Sequence, residues 1–219
     1  MLDRHCHILY GIDDGAVDRE ESVAMLIAAK AAGITDIVAT PHVNGSRFDF
    51  FLARERKDDL AACAGCLGIR LQMGSEVRWS ALSELLIEGS LIRYCREGTN
   101  EILVDFGLRG EMPRDMIKKI FALQRQGLQV VIAHPERYER VQKEVRIARE
   151  WLDMGCNLQL DANVLLLPAF DRSRRSAVAM LKQGMYESFA SDAHCARDYE
   201  RFSKAVAWIK ERYLGSVAV

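Results

Sequence analysis

The sequence predicts an α/β protein on a mainly parallel sheet, open or closed into a barrel. An amphipathic helix, then a glycine, then a short apolar run recurs four times: AKAAG-ITDIVAT ending at Thr40, ALQRQG-LQVVIA at Ala133, EWLDMG-CNLQL at Leu160 and AMLKQG-MYESFAS at Ser191. Strand and helix alternating in this way imply parallel pairing. The 219 residues, 49% hydrophobic, are enough for one sizeable core. With four prolines and no Gly/Ser-rich tract there is no linker, so residues 1–219 are expected to form a single domain.

In chain order, MLDRHCHIL supplies the first strand, and Asp18 with Glu21 reads as a capping box that opens the first helix. Gly33 closes that helix before ITDIVAT; Gly127, Gly155 and Gly184 repeat the device, each placed for a left-handed helix end. Residues 43 to 70 show a charged helical pattern with no readable register against the core. IRLQMG and EILVDF complete about seven strands.

Thirty Lys and Arg against thirty-one Asp and Glu give a net charge of −1, which argues against a dedicated nucleic-acid binder. No run of about 18 apolar residues is present, so no direct membrane insertion is expected. The N-terminus is polar from residue 3 and does not read as a secretory signal. Six cysteines without regular spacing suit reduced thiols and a cytoplasmic location.

The five histidines carry the chemistry. His5 and His7, two apart on a strand, face the same side. Asp192 and His194, in SDAH, repeat the spacing; His42 ends IVATPH and His134 ends VVIAHP. In a parallel barrel these strand ends share one mouth. A lone histidine there would more often be a hydrogen-bonded core residue, but five at strand ends point to metal, with carboxylates needed to offset the ion's charge. Asp14, Glu76, Asp105 and Asp192 stand at matching places. The alternatives are a salt bridge for Asp105 and an Asx-turn at Gly15 for Asp14, in which Asp13 could exchange roles with it.

The ordered motifs HCH, GIDDG, TPH, GSEVR, VDF, AHPERY and SDAH span residues 5 to 194. They resemble the polymerase-and-histidinol-phosphatase (PHP) superfamily, and within it the bacterial manganese-dependent protein-tyrosine phosphatases of capsule and exopolysaccharide assembly. The resemblance implies a distorted (βα)7 TIM-like barrel and three divalent ions, Mn²⁺ foremost, with Fe, Zn or Mg also suited to nitrogen and oxygen ligands. It implies His5, His7, Glu76 and Asp192 at the first ion. Glu76, Asp105 and His134 would hold the second, and Asp14, His42 and His194 the third. Arg137 would face the substrate phosphate. The implied partner is the phosphotyrosine-bearing tail of a membrane-associated tyrosine kinase.

Two departures stand out. Most relatives carry a glutamate where Asp105 stands. They also place a second phosphate-binding arginine where this chain has Tyr199, flanked by Arg197 and Arg201; Arg197 is the expected substitute. The expected reaction is phosphotyrosine hydrolysis by a metal-bound hydroxide, with Arg137 binding the phosphoryl oxygens. His42 and His194 are general-acid candidates where they are not committed to metal. Rival readings are a small-monoester phosphatase of the histidinol-phosphate type and a metal-containing, inactive module that binds the kinase tail.

Residues 194–201 also match H-C-x5-R, the signature of cysteine-dependent tyrosine phosphatases. Their lack of glycine and their two internal carboxylates argue against a phosphate cradle. Cys63-x-x-Cys66 reads as two ordinary thiols, and Arg172, Arg174 and Arg175 as a solvated helix face.

Overall fold

The computed structural model describes residues 1–89, 91–107 and 113–213, with nine strands and eight helices among them. All strand pairings are parallel: β1 (Leu2–Cys6), β2 (Asp36–Ala39) and β4 (Arg70–Met73) form one sheet. The other sheet runs β3 (His42–Val43), β5 (Glu76–Arg78), β6 (Glu101–Asp105), β7 (Gln129–Ala133), β8 (Asn157–Asp161) and β9 (Ser188–Ala190).

Nine strands fill seven positions because two expected strands are interrupted. Thr40 and Pro41 separate β2 from β3, and Gly74 and Ser75 separate β4 from β5. Pro41 has no N–H to offer a ladder, and its carbonyl accepts instead from Glu76 N (3.1 Å). His42 therefore begins a strand segment rather than ending one. The ring closes between β9 and β1: Cys6 bridges to Ala193, His7 N donates to Ala193 O (2.8 Å) and Asp192 N donates to His5 O (3.0 Å). Buried Asp3 secures this seam by accepting from Ser191 N (2.9 Å) and Ser191 Oγ (2.6 Å). The result is the distorted seven-position barrel expected.

Helices cover the outside. Asp18 caps α1 (Arg19–Ala31) by accepting from Glu21 N at 2.9 Å, while Glu21 reaches back to Val17 N, one residue earlier than a standard capping box. Gly33, Gly127, Gly155 and Gly184 all have positive φ, as a left-handed helix end requires. The 43–70 segment contains α2 (Phe50–Cys66), which buries Ala53, Leu60 and Ala64. Along β6, β7 and β8, Ile102, Val104, Val130, Ile132, Leu158 and Leu160 join the main core. Leu103, Val131 and Ala133, alternating with them, form a separate apolar cluster. Period-2 alternation thus points Asp105 the same way as Leu103, away from the main core.

Candidate metal centre

Pleat and breaks bring together side chains far apart in sequence. The imidazoles of His5 and His7 approach at Nε2 to Nε2, 3.2 Å. Their other nitrogens are held from behind: His5 Nδ1 lies 3.0 Å from Gln159 Oε1, and His7 Nδ1 lies 2.8 Å from Asp13 Oδ2. With Nδ1–H donated to those acceptors, both Nε2 lone pairs face inward. Glu76 Oε2 stands 3.5 and 3.6 Å from the two Nε2 atoms, and Asp192 Oδ1 stands 3.3 Å from each. Four electron-rich atoms converge here. Without a cation or added protons such an arrangement is repulsive, so the donor set fits a divalent ion.

Glu76 is the hub. Its Oε1 accepts from His134 Nε2 at 2.9 Å, and its Oε2 lies 2.7 Å from His42 Nδ1. Oε2, His42 Nδ1 and His134 Nδ1 are nonetheless buried without a well-aligned hydrogen-bond partner. Asp14 Oδ1 approaches His42 Nε2 (3.2 Å) and His194 Nε2 (3.6 Å). Three groups result, each with ligand atoms within 4.8 Å of one another: His5, His7 and Asp192; Glu76, Asp105 and His134; and His7, Asp14, His42 and His194. All nine expected residues are in them, His7 in two. Asp105 lies within its group although it is a methylene shorter than glutamate.

The backbone marks the same residues. Among the described residues His134 (φ 32°) and Asp192 (φ 47°) are the only non-glycine positions with positive φ. Each left-handed residue costs about 1–2 kcal/mol, strain that persists where function demands it.

Ionisation follows the packing. Burial alone would raise the Glu76 pKa, but the charge of His5 and hydrogen bonds from His134, His42 and His5 hold it well below the usual range. Burial disfavours the charged form of His134, yet the Glu76 hydrogen bond and charge carry its pKa up to about 9. His7 is likewise held high, against burial, by hydrogen bonds to Asp13 and Asp192. Burial and the charge of Asp192 push Asp161 up to about 7.

A family model for capsular polysaccharide synthesis, CpsB/CapC, matches residues 1–218. The chain belongs to the CpsB/CapC family. CapC of Staphylococcus aureus is 31% identical over 201 residues, covering 89% of this chain and 77% of that protein. The tyrosine-protein phosphatase YwqE of Bacillus subtilis (strain 168) is 27% identical over 221 residues, 99% of this chain and 86% of that one. A crystal structure described with YwqE and CpsB of Streptococcus pneumoniae as metal-dependent tyrosine phosphatases aligns at TM-score 0.85 and 27% identity. It covers 98% of this chain and 88% of its own. A TatD-like protein of Archaeoglobus fulgidus (TM-score 0.53, 14% identity) shares the fold alone.

In this CpsB/CapC chain the mouth holds more than sequence reading found. Asp13, not Asp14, makes the Asx-turn, accepting from Gly15 N (3.1 Å) as well as from His42 N (2.9 Å), and so frees Asp14 for the mouth. Asp13 and Gln159 orient the paired histidines; the GIDDG doublet hinted at the first, and nothing in the local pattern signals the second. The loop also needs Gly15, where a Cβ would stand 2.0 Å from His7 O and 2.4 Å from His7 Cβ. Gly15→Ala is expected to displace His7, lowering stability by about 1–3 kcal/mol and weakening divalent-metal binding. Urea unfolding and metal titration would show both, and wild-type values for the variant would refute the packing argument.

Arg137 Nη1 donates to Asp192 Oδ2 at 2.5 Å and lies 3.6 Å from Asp161 Oδ2. It lines a cleft of about 350 Å³ with His194, Asp192 and Arg201. Arg197, the expected second phosphate contact, is exposed and lies outside that lining, whereas Arg201 is part of it. Tyr199 is fully buried, a core residue. The Cys195 thiol lies 3.4 Å from Asp198 Oδ2, and burial with that carboxylate raises its pKa, the reverse of an activated nucleophile. Arg174 donates to Leu167 O (2.6 Å), while Arg172 and Arg175 line a separate surface cleft with Lys143.

Proposed function

We propose that this chain hydrolyses phosphotyrosine in proteins, using divalent ions, Mn²⁺ foremost, at the three groups centred on Glu76. The observation that carries this is the convergence of Glu76 Oε2 and Asp192 Oδ1 on the paired Nε2 atoms of His5 and His7, each carboxylate oxygen within 3.6 Å of both nitrogens, with each imidazole tied from behind. The named activity of YwqE and CpsB supports it.

Divalent ions supply water of near-neutral pKa and hold phosphoryl oxygens. The protein does the rest. His5, His7 and Asp192 are fixed by Gln159, Asp13 and Arg137, so the acceptors need little reorganisation. Arg137, next to Asp192 at the cleft, is placed to donate to phosphoryl oxygens as charge spreads over them. A second cleft of about 530 Å³ adjoins His42, where Ile12, Phe48 and Leu52 offer apolar surface to a phenyl ring. Tyrosinate, with a parent pKa of about 10, leaves without strong acid help.

The substrate we infer is a phosphotyrosine-bearing tail of a membrane-associated polysaccharide-assembly kinase, met in the cytoplasm. Membership of a capsular polysaccharide synthesis family supports this reading. Among the described residues no helix is long and apolar enough to cross a membrane. Steady-state comparison tests the substrate class: kcat/KM for a phosphotyrosyl peptide is expected to exceed that for histidinol phosphate by about tenfold or more, the worth of a few apolar contacts. The reverse preference would transfer the site to small monoesters.

A further inference from the structure

Arg78 ends β5, two residues beyond Glu76, so the pleat returns it to the same side as that carboxylate. Its Nη2 lies 3.3 Å from His42 Nε2 and its Nη1 3.5 Å from Asp105 Oδ2. The guanidinium therefore spans two of the three groups, the one containing His42 and the one containing Asp105. Its Nε is buried without a hydrogen-bond partner, while the side chain as a whole is 39% exposed. A guanidinium carries five N–H donors, and here they meet one long contact to a ring nitrogen and one carboxylate just beyond hydrogen-bond reach. The buried Nε in particular is an unpaired donor, which is unfavourable.

The contact to His42 would be lost if an ion were held through Nε2. His42 Nε2 lies 3.2 Å from Asp14 Oδ1, and both residues belong to one candidate group. A ring nitrogen whose lone pair is taken by a cation cannot accept an N–H, and the guanidinium must then find another acceptor. Arg137 approaches the remaining group through Asp192. The two arginines thus reach the cluster through different groups, and a tetrahedral dianion at the mouth has oxygens for both.

We propose that Arg78 is a second arginine that binds the substrate's phosphoryl group, acting with Arg137. This rests on the phosphatase reading above. Two-pronged donation suits arginine and not lysine, whose ammonium offers a point charge.

The test is calorimetric titration of inorganic phosphate into Mn²⁺-loaded wild type, Arg78→Ala and Arg78→Lys, with metal content measured by elemental analysis. Arg78→Ala is expected to bind phosphate about tenfold or more weakly at unchanged metal content, with Arg78→Lys intermediate. In turnover, KM for phosphotyrosyl peptide should rise more than kcat falls. Wild-type phosphate affinity in Arg78→Ala would overturn the proposal. So would loss of metal from that variant, which would make Arg78 a positioning residue for Asp105 and His42, and so would a wild type that binds no phosphate. If phosphate binding depends on Arg78 but phosphotyrosine is not turned over, the phosphatase reading fails and this one stands. Turnover indifferent to Arg78 sinks only this one.

Discussion

EDTA treatment is expected to lower phosphotyrosine turnover by about a thousandfold, since metal-derived charge stabilisation is worth several kcal/mol and each factor of ten is 1.36 kcal/mol. Added Mn²⁺ should restore it. The cage explains why the protein's own side chains cannot compensate: Glu76 and Asp192 bring negative charge to the mouth, which bound ions would offset. Reloading should also depend on pH. His134 stands near 9 and His7 well above its ordinary range, so in the metal-free protein both hold protons near neutrality that an ion must displace. The protonated form of a raised-pKa histidine dominates below that pKa and is lost as pH rises through it. Apparent Mn²⁺ affinity should therefore increase from about pH 6 to about pH 8. Activity undiminished in chelator would end the metal mechanism, and affinity falling over that range would contradict the ionisation argument.

Replacing His134 with alanine is expected to remove about three orders of magnitude of turnover while the fold stays near intact. His134 Nε2 bonds the hub carboxylate Glu76 at 2.9 Å, and its backbone sits at φ 32°, ψ 52° at the end of β7. Alanine keeps the left-handed strain and loses the ligand; glycine loses the ligand and relieves the strain. His134→Gly should thus be as inactive as His134→Ala yet more stable than it by about 1 kcal/mol in urea unfolding. An alanine variant with substantial activity would remove His134 from the centre. A glycine variant less stable than the alanine one would show that the strained backbone conformation is not what the site imposes.

Much of this was legible beforehand because it rests on local periodicity. Seven strand positions, glycine-closed helices and the Asp18 cap follow from residue types at short spacings. The nine ligand candidates were legible because His, Asp and Glu at the ends of apolar runs share one barrel mouth. Illegible features were those in which one residue's role is set by a distant partner. The splitting of two strands is not legible, because a proline and a glycine next to an apolar run do not announce which ladder they interrupt. Arg197 and Arg201 flank Tyr199 alike in the sequence, and of the two it is Arg201 that lines the cleft. Asp13 and Asp14 are interchangeable in the sequence, and the folding of the loop on His7, where Gly15 leaves no room for a Cβ, distinguishes them.

By itself, then, the sequence determined an α/β chain with every histidine at the mouth of its barrel, since side-chain direction along a strand is a local property. Only the tertiary structure decided which nitrogen of each histidine faces inward, because Gln159 and Asp13 impose that from elsewhere in the chain. It also decided that Glu76 is the hub and that Arg78 lies across two groups. Those assignments depend on distances between neighbouring strands, and the closure of the ring sets them.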